Sequence, residues 1–141
     1  MIAYFDTSAV VALLLAEPTS PTCMRLWDDA AMVVSCRLVY PEACAALGQA
    51  HRIGRVTQRQ LVDARADLDD AMVELEYLEA DSDLAEAAGS LAIDHGLRGY
   101  DAIHLAAALS IADEETVFVT GDRQLAHVAS DVGLAVVSSA A

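Results

Sequence analysis

Five short β-like runs, separated by longer helical segments, constrain this chain more than any other feature. Met1 to Phe5 (MIAYF), Met32 to Ser35 (MVVS), Val117 to Thr120 (VFVT) and Leu134 to Val137 (LAVV) are almost wholly apolar. Val73 to Leu78 (VELEYL) alternates apolar and acidic residues, as an edge strand does. Strands that are apolar on both faces need cover on both sides, and helical crossovers between parallel strands supply it. The expected fold is α/β: a three-layer α/β/α domain with a mostly parallel sheet of about five short strands, in one domain spanning 1–141.

Local signals place the helices. Ser8 is the expected N-cap of a helix through Ala16, which Glu17-Pro18 ends. Pro21 suits the first turn of a second helix, opened by Thr19 or Ser20. Leu38 to His51 reads as a small-residue helix with Pro41 near its start and Gly54 beyond its end. Thr57 with Gln60 has capping-box form and opens a helix to about Ala71. Ser82 is the expected cap of a helix that Gly96 ends. Tyr100 to Ile111 is the most apolar helix, and Gly121-Asp122 turns the chain into a last one through Ser130.

Composition closes several routes. Eight Arg and no Lys stand against 22 Asp plus Glu, a net charge of −14. So acidic a chain repels phosphate overall, and any nucleic-acid partner must be held by local Arg, by metal ions or by both. Without Lys there is no Schiff base, no P-loop lysine and no phospho-receiver chemistry, which pairs an Asp with a Lys. An Asp-x-Asp phosphatase is excluded as well, because Ser8 stands where the second Asp belongs. Cys23, Cys36 and Cys44 lack C-x-x-C spacing and read as free thiols in a reducing cytosol. The apolar stretch Ala9 to Ala16 lacks a basic leader, and no run is long enough to span a bilayer. The expected setting is soluble and cytoplasmic, with no membrane partner.

Most of the acids read as solvated helix faces, among them Asp28, Asp29, Asp63, Asp67, Asp69, Asp70, Glu114 and Glu115. Four do not. Asp6 follows MIAYF and Asp122 follows VFVTG, both at carboxyl ends of strands, where open α/β sheets bind ligands. Asp101 opens the most apolar helix, and Glu42 lies inside another apolar helix. Capping alone could account for Asp101 and Asp122 taken singly. Converging carboxylates, however, repel one another and lose hydration. A divalent cation resolves that, and an all-oxygen set with water suits Mg²⁺, or Mn²⁺ in its place, rather than Zn²⁺. Such an ion acidifies water and offsets charge on a phosphoryl group.

These segments resemble a known family. Asp6-Thr7-Ser8-Ala9, Glu42, Arg98-Gly99-Tyr100-Asp101-Ala102-Ile103-His104-Leu105-Ala106 and Val119-Thr120-Gly121-Asp122-Arg123-Gln124-Leu125 are similar, in order, to PIN-domain ribonucleases. More narrowly they resemble the VapC toxins of bacterial toxin–antitoxin pairs. The resemblance implies a PIN-like fold and Mg²⁺-dependent hydrolysis of RNA phosphodiesters, with Asp6, Glu42, Asp101 and Asp122 as the catalytic, metal-binding acids. Thr7, Ser8 and Thr120 would be hydroxyls orienting carboxylates or water, or in the case of Thr7 and Ser8 simple caps. The resemblance also implies a cognate antitoxin, whose basic C-terminal segment could pair with the acids, and a homodimer.

His104 lies three residues after Asp101 and is either a general base or, as a hard-cation site favours, a packing or hydrogen-bonding residue. Arg98 and Arg123 adjoin two of the acids and are candidate RNA contacts. Arg52, Arg55, Arg59 and Arg65 form a local basic cluster, either a phosphate-contacting rim, chiefly through Arg52 and Arg55, or an ordinary solvated surface. A catalytically inactive binding module that keeps the fold is the main alternative function; a Mg²⁺-binding phospho-receiver-like domain is the weaker one.

Overall fold

The computed structural model describes residues 1–138; residues 139–141, part of the expected domain of 1–141, lie outside the described residues. In chain order the elements are β1 (Ile2–Phe5), α1 (Thr7–Leu14), α2 (Ser20–Asp29), β2 (Met32–Cys36), α3 (Val39–Arg52), α4 (Gln58–Glu74), β3 (Glu76–Leu78), α5 (Ser82–His95), α6 (Gly99–Ile111), β4 (Thr116–Val119), α7 (Arg123–Asp131) and β5 (Ala135–Val137). The strands form one five-stranded sheet in the order β3-β2-β1-β4-β5. Every pairing in it is parallel.

Alternation along the strands builds two cores. Ala3, Phe5, Val33 and Val119 face a cluster with Val10, Val39, Leu47 and Leu68, from α1, α3 and α4. Tyr4, Val34, Cys36 and Phe118 face the opposite cluster with Leu105, Leu125 and Val128, from α6 and α7. β1 therefore buries both faces, which is why MIAYF carries no charged side chain until Asp6. The chain adds β2 and β3 on one side of β1, then β4 and β5 on the other. The order reverses between β1 and β4, and their carboxyl ends open the crevice where doubly wound sheets bind ligands.

Three local expectations are corrected. The N-cap of α1 is Asp6, not Ser8: Asp6 Oδ1 accepts the Ala9 amide at 2.9 Å. Asp81, not Ser82, caps α5 through the Leu84 amide at 2.9 Å. Asp and Ser cap about equally well, so geometry rather than residue type decides between neighbours. The VELEYL strand is only Glu76–Leu78, because Val73 and Glu74 complete the last turn of α4. Val73 is 86% exposed, so its apolarity reflects no buried strand face. The Thr57–Gln60 capping box forms in both directions, and Gly96 ends α5 at φ 67°, in the left-handed region that glycine tolerates. The acids assigned to solvated faces are all exposed. Cys23 and Cys36 are buried free thiols, Cys44 is half-buried, and burial pushes the Cys23 thiol up to about 11. Among the described residues, no helix is long and apolar enough to cross a membrane.

Candidate active site

Asp6, Glu42, Asp101 and Asp122 line a single cleft of about 750 Å³ at the carboxyl ends of β1 and β4. Each reaches it from a different element. Asp6 sits where β1 turns into α1, Glu42 in the first turn of α3, Asp101 in the first turn of α6, and Asp122 at the cap of α7. Three of these acids sit at or before a helix start whose dipole favours negative charge, and Glu42 shares that position in α3.

Asp6 is the most enclosed, with 3% of its surface exposed. Its Oδ1 accepts from Ser8 Oγ at 2.6 Å and from the Ala9 amide, while Oδ2 accepts from Thr120 Oγ1 at 2.6 Å. Burial raises its pKa; the hydrogen bonds from Ser8, Thr120 and Ala9 oppose that rise without cancelling it. Ser8 also accepts the Gly121 amide at 2.8 Å, tying the start of α1 to the turn after β4.

Glu42 is held through one oxygen. Thr7 Oγ1 donates to Oε1 at 2.9 Å, and His104 Nε2 lies 2.8 Å from the same atom. Burial alone would push this carboxyl up, but the bonds from His104 and Thr7 and the nearby charges outweigh it and hold it below the usual range. Asp122 caps α7 through Oδ1, which accepts the Leu125 amide at 2.9 Å. Capping therefore does explain part of Asp122, but only one of its oxygens. Asp101 makes no capping bond. Arg98 Nε donates to its Oδ2 at 2.8 Å, and Arg98 Nη2 lies 3.6 Å from Asp122 Oδ2. An exposed arginine thus stands between two of the acids as their counter-ion.

The PIN domain family matches residues 3–131 of the chain. Ribonuclease VapC49 of Mycobacterium tuberculosis is 41% identical over 131 residues, 91% of each chain. This chain is a PIN domain of the VapC family. Its fold is also that of solved VapC proteins. The structure of M. tuberculosis VapC20, described as a sarcin–ricin-loop-cleaving toxin, superposes with a TM-score of 0.69 at 21% identity, covering 94% of this chain and 95% of that one. DNA-bound VapBC from Salmonella typhimurium gives 0.68 at 14% identity, covering 99% and 98%.

In this PIN domain the three hydroxyls expected to orient carboxylates are placed to do so: Thr7 on Glu42, Ser8 and Thr120 on Asp6. Arg98 and Arg123 line the cleft. Arg52 and Arg55 do not. Arg55 is tied to Glu17 at 3.0 Å and to the Ala16 carbonyl, and Arg52 to Gln49 at 3.3 Å. Arg59 pairs with Asp63 at 3.4 Å. Of these, Arg55 ties the α3–α4 connection to the α1–α2 connection, and Arg52 and Arg59 pair within their own helices.

Two participants escaped the sequence reading. Glu17 lines the cleft as a fifth acid; before Pro18 it had looked only like a helix stop. Tyr4, fully buried in β1, bonds His104 Nδ1 at 2.9 Å. A strand tyrosine carries no signal for such a bond. His104 itself is 2% exposed and is a hydrogen-bonding residue, as a site for a hard cation favours.

The residues fit a hard divalent ion in kind. The ligand set is oxygen only, and Glu42, Asp101 and Asp122 each commit one oxygen to a short protein hydrogen bond and keep the other free of one. Among the described residues, no three His, Cys, Asp or Glu side chains are grouped so that they could hold a metal ion together. An open cleft accords with Mg²⁺, which retains several waters and takes few direct protein ligands.

Proposed function

We propose that this PIN domain is the toxin of a toxin–antitoxin pair, a Mg²⁺-dependent endoribonuclease that accepts Mn²⁺ in place of Mg²⁺. The carrying observation is the convergence of Asp6, Glu42, Asp101 and Asp122, from four separate elements, on one cleft at the sheet's switch point. The similarity to a ribonuclease at 41% identity supports the same reading.

Asp6, Glu42, Asp101 and Asp122 would hold the ion. Bound there, it would lower the pKa of water and offset phosphoryl charge. The chain's own residues supply the geometry. Ser8, Thr120 and the Ala9 amide fix the Asp6 carboxylate, and Thr7 fixes Glu42. Arg98, only loosely placed at 79% side-chain exposure, is free to exchange its carboxylates for an RNA phosphate. Arg123 offers a second contact on the same rim. Water delivered to the phosphorus would leave 5′-phosphate and 3′-hydroxyl ends, with no need for the 2′-hydroxyl as nucleophile.

Arg98 also supports a way of closing the site. A guanidinium already satisfies two of the acids, and an arginine on the basic C-terminal segment of an antitoxin would do the same from outside. Among the solved structures of similar fold is a toxin–antitoxin complex from Klebsiella pneumoniae, which supports a partner of that kind. The toxin would act in the cytoplasm, as a homodimer when free.

Purified protein without antitoxin, incubated with RNA, tests the reading. Cleavage should require Mg²⁺ or Mn²⁺, stop with a chelator, and fall by orders of magnitude in Asp101→Asn. Cleavage that survives thorough chelation would contradict the metal mechanism.

A further inference from the structure

A buried chain of polar groups lies behind Glu42 and outside the cation chemistry. Tyr4 from β1 is fully buried, and its hydroxyl lies 2.9 Å from His104 Nδ1. His104 from α6 is 2% exposed, and its Nε2 lies 2.8 Å from Glu42 Oε1 and 3.1 Å from Thr7 Oγ1. Thr7 donates to the same Oε1. The proton positions follow from the partners. An ionised carboxylate only accepts, so Nε2 must carry a hydrogen. A buried Tyr hydroxyl needs an acceptor, and Nδ1 with its lone pair is one.

We infer that Tyr4 and His104 are positioning residues for the cation site. Tyr4 holds His104 as the neutral, Nε2-protonated tautomer. His104, with Thr7, then commits Glu42 Oε1 to the protein and leaves Oε2 as the oxygen for the ion. The inference rests on the reading of Glu42 as a metal-binding acid.

The geometry favours positioning over core packing alone. Tyr4 already has packing partners, with its ring stacked on Phe118 at 5.6 Å. A purely apolar core would not need an imidazole at a 2%-exposed position bonded at both nitrogens. Glu42 comes from the helical layer opposite α6, so the bond from His104 ties its carboxylate across the two layers. Groups that orient a metal-binding side chain from behind are commonly worth about 10- to 100-fold in affinity.

The test uses the purified chain with Mn²⁺ alone, by calorimetry, alongside long-range nitrogen–proton NMR of the histidines without metal. The parent should show His104 neutral and protonated at Nε2. Tyr4→Phe/His104→Leu removes both polar groups together, which limits the folding penalty. It should bind Mn²⁺ at least about tenfold more weakly than the parent while melting cooperatively. His104→Gln, able to accept from Tyr4 and donate to Glu42, should recover affinity to within a few-fold. If the double variant does not fold, Tyr4→Phe decides: mixed tautomers and weaker Mn²⁺ binding are expected.

Glu42→Gln separates this inference from the reading beneath it. If Glu42→Gln weakens Mn²⁺ binding but the Tyr4 and His104 variants do not, the positioning role is overturned and the cation site stands. If Glu42→Gln binds like the parent, the cation reading itself fails. An Nδ1-protonated His104 in the parent also overturns the inference.

Discussion

Asp6 has the least water of the four acids, and that makes its ionisation a measurable liability. The unfolded chain ionises this carboxyl near the ordinary value of 3.8, the folded chain only at higher pH, because burial disfavours its charge. Between the two values the folded protein keeps a proton that the unfolded chain has lost. Stability from this group therefore falls as pH rises. Asn keeps the capping ability and the size of Asp without the charge. Urea unfolding in chelator, from about pH 4 to about pH 7, should show Asp6→Asn gaining on the parent as pH rises. A parent that gains on the variant over that range contradicts the account. Glu42, held below its usual range, carries the opposite sign, but it is common to both proteins and drops out of the difference.

At the scale of elements, helix starts do most of the positioning. Asp122 caps α7 with Oδ1, so capping and ion binding can be separated by chemistry. Asp122→Ala should lower stability by about 1 kcal/mol, whereas Asp122→Asn should keep the cap. In thermal melts without metal, Ala should cost about 3 °C and Asn little, yet both should lose the stabilisation by Mg²⁺. Equal losses for Ala and Asn would mean that Asp122 does not act as a cap. The helices and strands themselves were legible because apolar runs and caps are local signals. Boundaries were less legible, because neighbouring residues can serve the same local role: Ser8 looked like the cap until Asp6 was seen bonding Ala9, and Val73 looked like a strand residue until α4 was seen to continue through it. Contacts distant in sequence were not legible at all. The acids could be picked out because each breaks an apolar context. Glu17 and Tyr4 could not, since a loop acid and a buried strand tyrosine are ordinary alone. The pairing of Arg55, in the arginine cluster around Gly54, was hidden for the same reason: its partner Glu17 lies far away in sequence.

For the whole molecule the problem is charge. A chain with a net charge of −14 gathers carboxylates in one cleft, and Arg98 and Arg123 are the arginines lining it. A cation that binds only the folded state stabilises it by RT ln(1 + [Mg²⁺]/Kd), about 2.7 kcal/mol at a hundredfold excess over Kd. The parent should therefore melt higher as Mg²⁺ is added. Asp101→Asn, whose metal-free melting should change little because the Arg98 end of its ion pair is exposed and the lost charge lies among acids that repel one another, should gain much less. A variant that gains as much as the parent would remove Asp101 from the site. The fold class was readable from five strands and their helical crossovers; the order β3-β2-β1-β4-β5, which sets β1 beside β4 and so brings Asp6 and Asp122 together, was not. The most direct measurement is the chemistry of the cut ends. RNA cleaved by the purified chain in Mg²⁺ should carry 5′-phosphate and 3′-hydroxyl termini, and a 2′,3′-cyclic phosphate would show that the 2′-hydroxyl, not water, attacks, contradicting the account.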